Sequence, residues 1–456
     1  MSSSFRFAMG RRALLAGVGT SLLLGAPKTG MRVLSSRPED LEMPMEGFST
    51  WITPVEKFFV RSHHYTPDVK LADWKLSIGG KVANALTLTM EDLKKLPRVE
   101  LVSVLECAGN GRGLYEPTMA GLQWEYGSVG NARWAGVRLA DVLRKAGVRD
   151  GAIEVWFDGA DVPVGTQPEF QRTIPMKKAL DPNTLLAYEM NGAALDPSHG
   201  FPLRVVVPGW AGDSWVKWVT KIEVRDTEFE GFFMKTGYRH PGKGVTPGVA
   251  VDPALMSPVT NLNIKSVMAS HADRSEVKPG PLKLTGAAWS NTSPVVSVEV
   301  STDAGRSWKA ATLGTEKAAF AWRLWEFGWT PPKDAYYSVM VRARNAAGEM
   351  QPLQQEWNPS GYSHNVVQAV RLNVTAKPSA ASATMVHGDF VAPPAVLNQS
   401  CLGCHTVEPI QQQRMSRGQW EKEVEKMQRW GAPVKPELKD VLVDYLAKRY
   451  GMRPIR

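Results

Sequence analysis

Three cysteines make up the whole thiol inventory of this 456-residue chain, and two of them stand in Cys401-Leu-Gly-Cys404-His405. That spacing is a c-type haem attachment motif: two thiols about one helical turn apart form thioethers to the porphyrin, and the adjacent imidazole reaches the iron from the same side. The iron needs a sixth ligand, and a thioether is usual where a haem transfers electrons at a raised potential. Met415 and Met427 are the nearby methionines. Met427 is preferred, because Trp420, Val424 and Met427 recur at i, i+4, i+7 and share one face of a helix predicted over 417–430. The third thiol, Cys107 in Glu106-Cys-Ala-Gly-Asn-Gly-Arg112, has no cysteine left to pair with. It is either an inert buried residue or a thiolate reserved for a soft ligand such as a second metal.

The elements that would position these groups differ along the chain. Residues 36–255 mix short apolar runs of strand length (101–105, 153–157, 203–207) with helical spacing over 137–146, which reads as an α+β domain rich in loops. Cys107 then follows a strand, in a loop whose three glycines free the backbone to wrap closely around a ligand. From 256 to 376 the pattern changes to alternating strands and turns, as in 295–300, 336–343 and 368–374, an Ig-like β-sandwich. Residues 377–394, rich in Ala, Ser and Pro, read as a linker. Residues 395–456 form a small all-α module around the haem, closed by a helix over 436–450 with Leu438, Val441, Leu442, Tyr445 and Leu446 on its packing side.

Residues 1–35 carry a basic stretch with Arg11 and Arg12 ahead of a short, Gly-broken apolar run that ends near Ala26. This is the pattern of a twin-arginine export signal, and haem c attachment outside the cytoplasm agrees with it, so the expected location is the periplasm. No later segment reaches about 18 uninterrupted apolar residues, so no membrane span is expected. The net charge of +9 comes from scattered basic residues without a long run, which gives no reason to invoke nucleic acid and suits an anionic substrate.

Cys107-Ala-Gly-Asn with Arg112, the stretch 132–139, His199-Gly-Phe-Pro-Leu-Arg204 and Val216-Lys-Trp218 together resemble the sulfite oxidase family of molybdenum enzymes. Trp322-Arg-Leu-Trp-Glu326, Val341-Arg-Ala-Arg-Asn345 and Trp357-Asn-Pro-Ser-Gly-Tyr362 look like that family's dimerisation domain, so the resemblance covers most of 36–376. Within the family, 235–243 and 256–266 are most similar to the sulfane/sulfite dehydrogenase branch of thiosulfate oxidation. The fused haem module departs from that branch, which normally works with a separate cytochrome subunit.

The resemblance implies a Mo-molybdopterin cofactor ligated by the Cys107 thiolate. It implies further that Arg61, Tyr238 and Arg112 hold the substrate anion, and that His63, Asp161, His199, Arg204 and Lys217 contact the cofactor, with Ser62 standing where the family has Asn. Cationic groups are what a phosphate or sulfite anion requires. The implied reaction is oxygen-atom transfer to sulfite or to a sulfane sulfur borne on a carrier protein, with electrons passing through the haem to a cytochrome c, in a homodimer. Two other readings stay open: an electron-transfer cytochrome whose molybdopterin-type domain is non-catalytic, and a molybdenum oxidoreductase acting on another oxyanion, such as nitrate, or on a sulfoxide.

Overall fold

The computed structural model describes residues 28–377 and 395–452. The export-signal reading for 1–27 and nearly all of the linker lie outside the described residues. Residues 28–35, counted with the signal in the sequence reading, belong to the folded domain. Strand Arg32–Ser36 turns at Arg37-Pro38 and pairs antiparallel with Glu39–Glu42, burying Leu34 and Leu41. The apolar run of the signal ends before this hairpin, whose first strand buries only Leu34 and Ser35 while its second buries Asp40, Leu41 and Glu42.

Two sheets build the N-terminal α+β domain. The first runs Ala193–Ala194, Leu185–Met190, Val129–Arg138, Arg98–Glu106, with Arg204–Val206 paired to Leu185–Met190. The second runs Leu86–Leu88, Leu76–Gly80, Val219–Arg225, Glu154–Gly159, Arg172–Pro175. Apolar side chains of both sheets, with Trp124, Trp134 and Trp215, share one core. Helix Leu139–Ala146 buries Leu139, Val142, Leu143 and Ala146 at i, i+3, i+4, i+7 and stops at Gly147, whose left-handed φ of 70° lets its N–H close on Leu143 and Arg144. It starts two residues later than its spacing predicts, because Val137 and Arg138 are held in the strand ladder opposite Leu186 and Leu185.

The following domain is the expected sandwich. One sheet runs Lys265–Met268, Leu282–Trp289, Arg323–Trp329, Thr312–Leu313, and the other Ser275–Val277, Gln368–Val374, Ala335–Asn345, Val295–Ser301, Lys309–Ala310. Its inner faces meet over Leu284, Val298, Trp325, Val341 and Leu372. A separate cluster containing Phe48, Trp289 and Trp322 joins it to the first domain.

Residues 395–452 form helices Ala395–Cys401, Glu408–Gln411, Arg417–Arg429 and Lys439–Arg449. Ser416 and Gln419 make a reciprocal capping box that starts the third helix. In the last helix Leu442 and Leu446 are buried and Tyr445 packs on the same core, as the spacing suggested, but Val443 is buried where Val441 was expected, and Val441 is exposed. Among the described residues no helix is long and apolar enough to cross a membrane.

Candidate active site

Strand Arg98–Glu106 delivers Cys107 to the floor of a cavity lined also by Arg61, His63, Asp161, His199, Arg204, Lys217 and Tyr238. All the residues expected around a molybdenum cofactor except Arg112 meet there. The Cys107 thiol is buried, and burial pushes its pKa up while Arg61 and the Gly109 N–H pull it down. The glycines beside it serve protein neighbours. Gly111 has φ 92°, and a Cβ there would fall 2.6 Å from the His364 ring, while one at Gly109 would meet the Arg112 guanidinium at 3.0 Å. They permit close approach of the sandwich and of Arg112, where the sequence suggested close approach of a ligand.

Arg61 enters from the loop after Phe58 and Phe59, which are buried in the core. Asp40 fixes this loop by accepting from Arg61 Nη1 at 3.1 Å and from the Ser62 N–H at 2.9 Å. A second Arg61 nitrogen lies 3.0 Å from His63 Nδ1, and His63 Nε2 lies 2.7 Å from the Tyr238 hydroxyl. Burial, reinforced by Arg61, holds His63 well below the ordinary imidazole range, so it is neutral at pH 7. Burial raises Tyr238 well above the ordinary phenol range, so its hydroxyl keeps its proton. Tyr238 takes a left-handed φ of 54°, uncommon for a bulky residue, and stacks on Tyr362 at 5.5 Å. Arginine, neutral imidazole and phenol thus form one hydrogen-bonded arc beside Cys107, with a fixed positive charge and donors for an oxyanion.

On the other side of Cys107 lie the groups expected to hold a cofactor. His199 ends the 3-10 turn Pro197–His199, capped by Asp196. Arg204 donates to the carbonyls of His199 and Trp215, its guanidinium lies between Trp134 and Trp215, and its buried Nε has no partner. Lys217 donates to Ser62 Oγ at 2.8 Å and to the Ser198 carbonyl at 2.9 Å. Burial brings Arg204 down to about 9, and burial with Arg204 nearby brings Lys217 down to about 7. Burial also raises Asp161 to about 6, against the pull of Lys217. Two strained cations and an orphaned guanidinium N–H fit an anionic group such as a pterin phosphate, and Cys107 supplies the one soft donor beside them.

Arg112 is absent from the first cavity but shares another with Arg61, His63, Cys107 and Tyr238. Its guanidinium lies 5.0 Å from the Tyr362 ring centre and donates to the carbonyls of Leu122 and Ser360, on the wall of a second, larger cavity. That cavity, 470 Å³, runs from Arg61, Cys107 and Tyr238 to Cys401, His405 and Met427 of the helical module. Cys401 and Cys404 are free and half-buried, and His405 Nδ1 sits 2.7 Å from the Thr406 carbonyl, which leaves Nε2 for a metal. Met427 lines this cavity, whereas Met415 is packed in the module's apolar core. The volume lies within the roughly 300–1,000 Å³ usual for cofactor and ligand sites. With its apolar walls of Trp420, Val424, Leu442 and Leu446, the donor set fits a haem.

Five residues at the site carry no role in the sequence reading. Asp40 sits in a strand whose sequence gives no hint of a partner 21 residues on. Arg172 and Asp213 form a fully buried ion pair with the Arg172 guanidinium 5.4 Å from the Tyr238 ring centre, and the charged residue inside Arg172-Thr-Ile-Pro175 was the available signal. Tyr362 lies in a motif whose sequence points only to the dimerisation domain, yet it stacks on Tyr238. Lys28, assigned to the signal, is folded against Ser198 with its Nζ 3.2 Å from His199 Nε2.

This combination of folds and sites defines a molybdopterin-binding oxidoreductase. Residues 63–233 match the family model for the oxidoreductase molybdopterin binding domain, and residues 256–375 match that for the Mo-co oxidoreductase dimerisation domain. The chain is 36% identical over 353 residues to sulfite oxidase of Gallus gallus, covering 73% of this chain and 75% of the relative. It is 35% identical over 364 residues to the mitochondrial sulfite oxidase of Rattus norvegicus, covering 75% of this chain and 66% of the relative, so it spans just under two thirds of that protein's length. The crystal structure of the sulfane dehydrogenase SoxCD from Paracoccus pantotrophus superposes with a TM-score of 0.64 at 26% identity, covering 81% of this chain and 96% of that one. The chain belongs to the sulfite oxidase family.

Proposed function

We propose that the protein is a periplasmic molybdenum and haem c dehydrogenase that oxidises sulfite or a sulfane sulfur and passes electrons to a cytochrome c. The observation that carries this reading is the cavity that joins the arc of Arg61 and Tyr238 at Cys107 to Cys401 and His405. When bound through Cys107, a molybdenum cofactor would supply two-electron oxidation with oxygen-atom transfer. A haem on Cys401 and Cys404, with His405 and Met427 as ligands, would accept those electrons one at a time.

The chain's own residues account for the rest of the reaction. Arg61, kept charged by Asp40, binds the anion, and the Tyr238 hydroxyl donates to its oxygen. His63, neutral and hydrogen-bonded to Tyr238, orients that hydroxyl. Phe170 and Phe233 pack on the His63 ring and keep water from this face. For sulfite the balance is sulfite plus water to sulfate, two electrons and two protons. Homodimer formation through the sandwich and export through Arg11 and Arg12 complete the reading.

The test is haem absorbance of oxidised protein of known molybdenum content after anaerobic addition of sulfite. Rapid reduction supports the reading. No reduction by sulfite or by a sulfane donor, despite bound molybdenum, would overturn it.

A further inference from the structure

The helical module is seated across the mouth of the active-site cavity and fastened at three places around the rim. At the first, the N-terminal hairpin and the Arg61 loop hold the thiol motif: Arg37 donates to the Leu402 carbonyl at 2.8 Å, Ser36 Oγ to Glu408 at 2.8 Å, and the Tyr65 hydroxyl to the Cys404 carbonyl at 2.9 Å. At the second, Thr118 donates to the Arg414 carbonyl at 3.0 Å, and the Gln123 N–H to Gln412 at 2.7 Å. At the third, Thr166 donates to the Arg429 carbonyl at 2.9 Å, and Trp430 meets Phe232 edge-on at 6.0 Å between ring centres. Gly165 comes so close here that a Cβ on it would lie 2.8 Å from the Trp430 carbonyl oxygen.

We infer that the module is a specificity-determining roof as well as an electron acceptor: it admits small solutes to Cys107 and excludes a sulfur atom carried on a protein arm. The inference rests on the proposed function and narrows its substrate class to a small free anion. The physical reason is that one space serves both ends. The 470 Å³ that reaches Cys107 is the same space that Cys401, His405 and Met427 line, so a group held by those residues fills the part of the cavity through which an arm would have to pass. Three separate attachments oppose a hinged opening, because lifting any edge leaves the other two in place.

The experiment uses the full chain loaded with molybdenum and haem. Stopped-flow haem reduction is compared for free sulfite and for a persulfide on the single, C-terminal cysteine of a small carrier protein. Free sulfite should act at least 100-fold faster. In the Tyr65→Phe/Thr118→Ala/Thr166→Ala variant, which leaves the arc at Cys107 intact, the carrier-borne rate should rise at least tenfold with the free-sulfite rate unchanged. Equal rates with the two donors in the unaltered protein would overturn the roof. A second readout does not depend on turnover: hydrogen exchange at the amides of Gln123 and Thr406, which donate across the rim to Gln412 and Arg37. Protection in the unaltered protein and its loss in the variant support the roof, and unprotected amides overturn it. If neither donor reduces the haem, the proposed reaction fails, and the exchange result alone decides the seating of the module.

Discussion

Cys107, Tyr238 and Lys217 each do a separable job, and each can be tested alone. Cys107→Ser should abolish turnover while the ferric haem spectrum survives, as checked by sulfite assay and absorbance, and retained activity would remove its ligand role. Tyr238→Phe deletes one preorganised donor to the oxyanion and should lower kcat by on the order of 100-fold. Lys217 gives a pH signature in cofactor-free protein. Its proton is held up to about 10.5 in the unfolded chain but only to about 7 in the folded site. Between those values the unfolded state binds more protons, so stability falls as the pH drops from 10.5 towards 7 and no further below. Thermal melts across that range should show this slope, and Lys217→Met should flatten it. The residue types at the site were legible because a lone thiol, a haem motif and cations in family order are rare in combination. Asp40 and the pairing of Arg172 with Asp213 were not legible, because an ion pair between segments far apart in the chain leaves no periodic trace, even where a charge inside a strand, as at Arg172, hints at a partner.

At the scale of elements, strands and helices with one buried face were readable from spacing, and Arg417–Arg429 ends within one residue of its predicted limit. Errors fell where tertiary contacts overrode spacing. Strand pairing claimed the first two residues of the predicted helix over 137–146, and in the last helix Val443 takes the buried place expected of Val441, which faces solvent. Helix Arg417–Arg429 presents Trp420, Val424 and Met427 to the cavity as its repeat suggested. Met427→Ala should therefore alter the haem spectrum and potential. An unchanged spectrum would transfer the sixth-ligand role to Met415 or to no residue of the chain.

At the scale of the whole molecule, the order of domains was visible in changes of composition and pattern, but the seating of the helical module over the active site was not, because side-chain to backbone hydrogen bonds at a rim have no sequence signature. The junction between the first two domains is likewise a product of folding. Glu106, the neighbour of Cys107, is buried and receives Lys265 at 2.9 Å, the Trp289 indole N–H at 2.8 Å and Asn110 at 2.7 Å, and two of those partners come from the sandwich. Lys265→Met would leave Glu106 as an unpaired buried charge and should cost about 3–5 kcal/mol, measured by denaturant unfolding, together with molybdenum content. The same knot bears on ancestry. A sequence that recombined at the boundary near residue 256 would separate the thiolate loop from the lysine and tryptophan that support it. The two domains are therefore expected to travel through evolution as one indivisible cassette, with the C-terminal helices, joined by hydrogen bonds at a rim, as the part free to be gained, lost or exchanged.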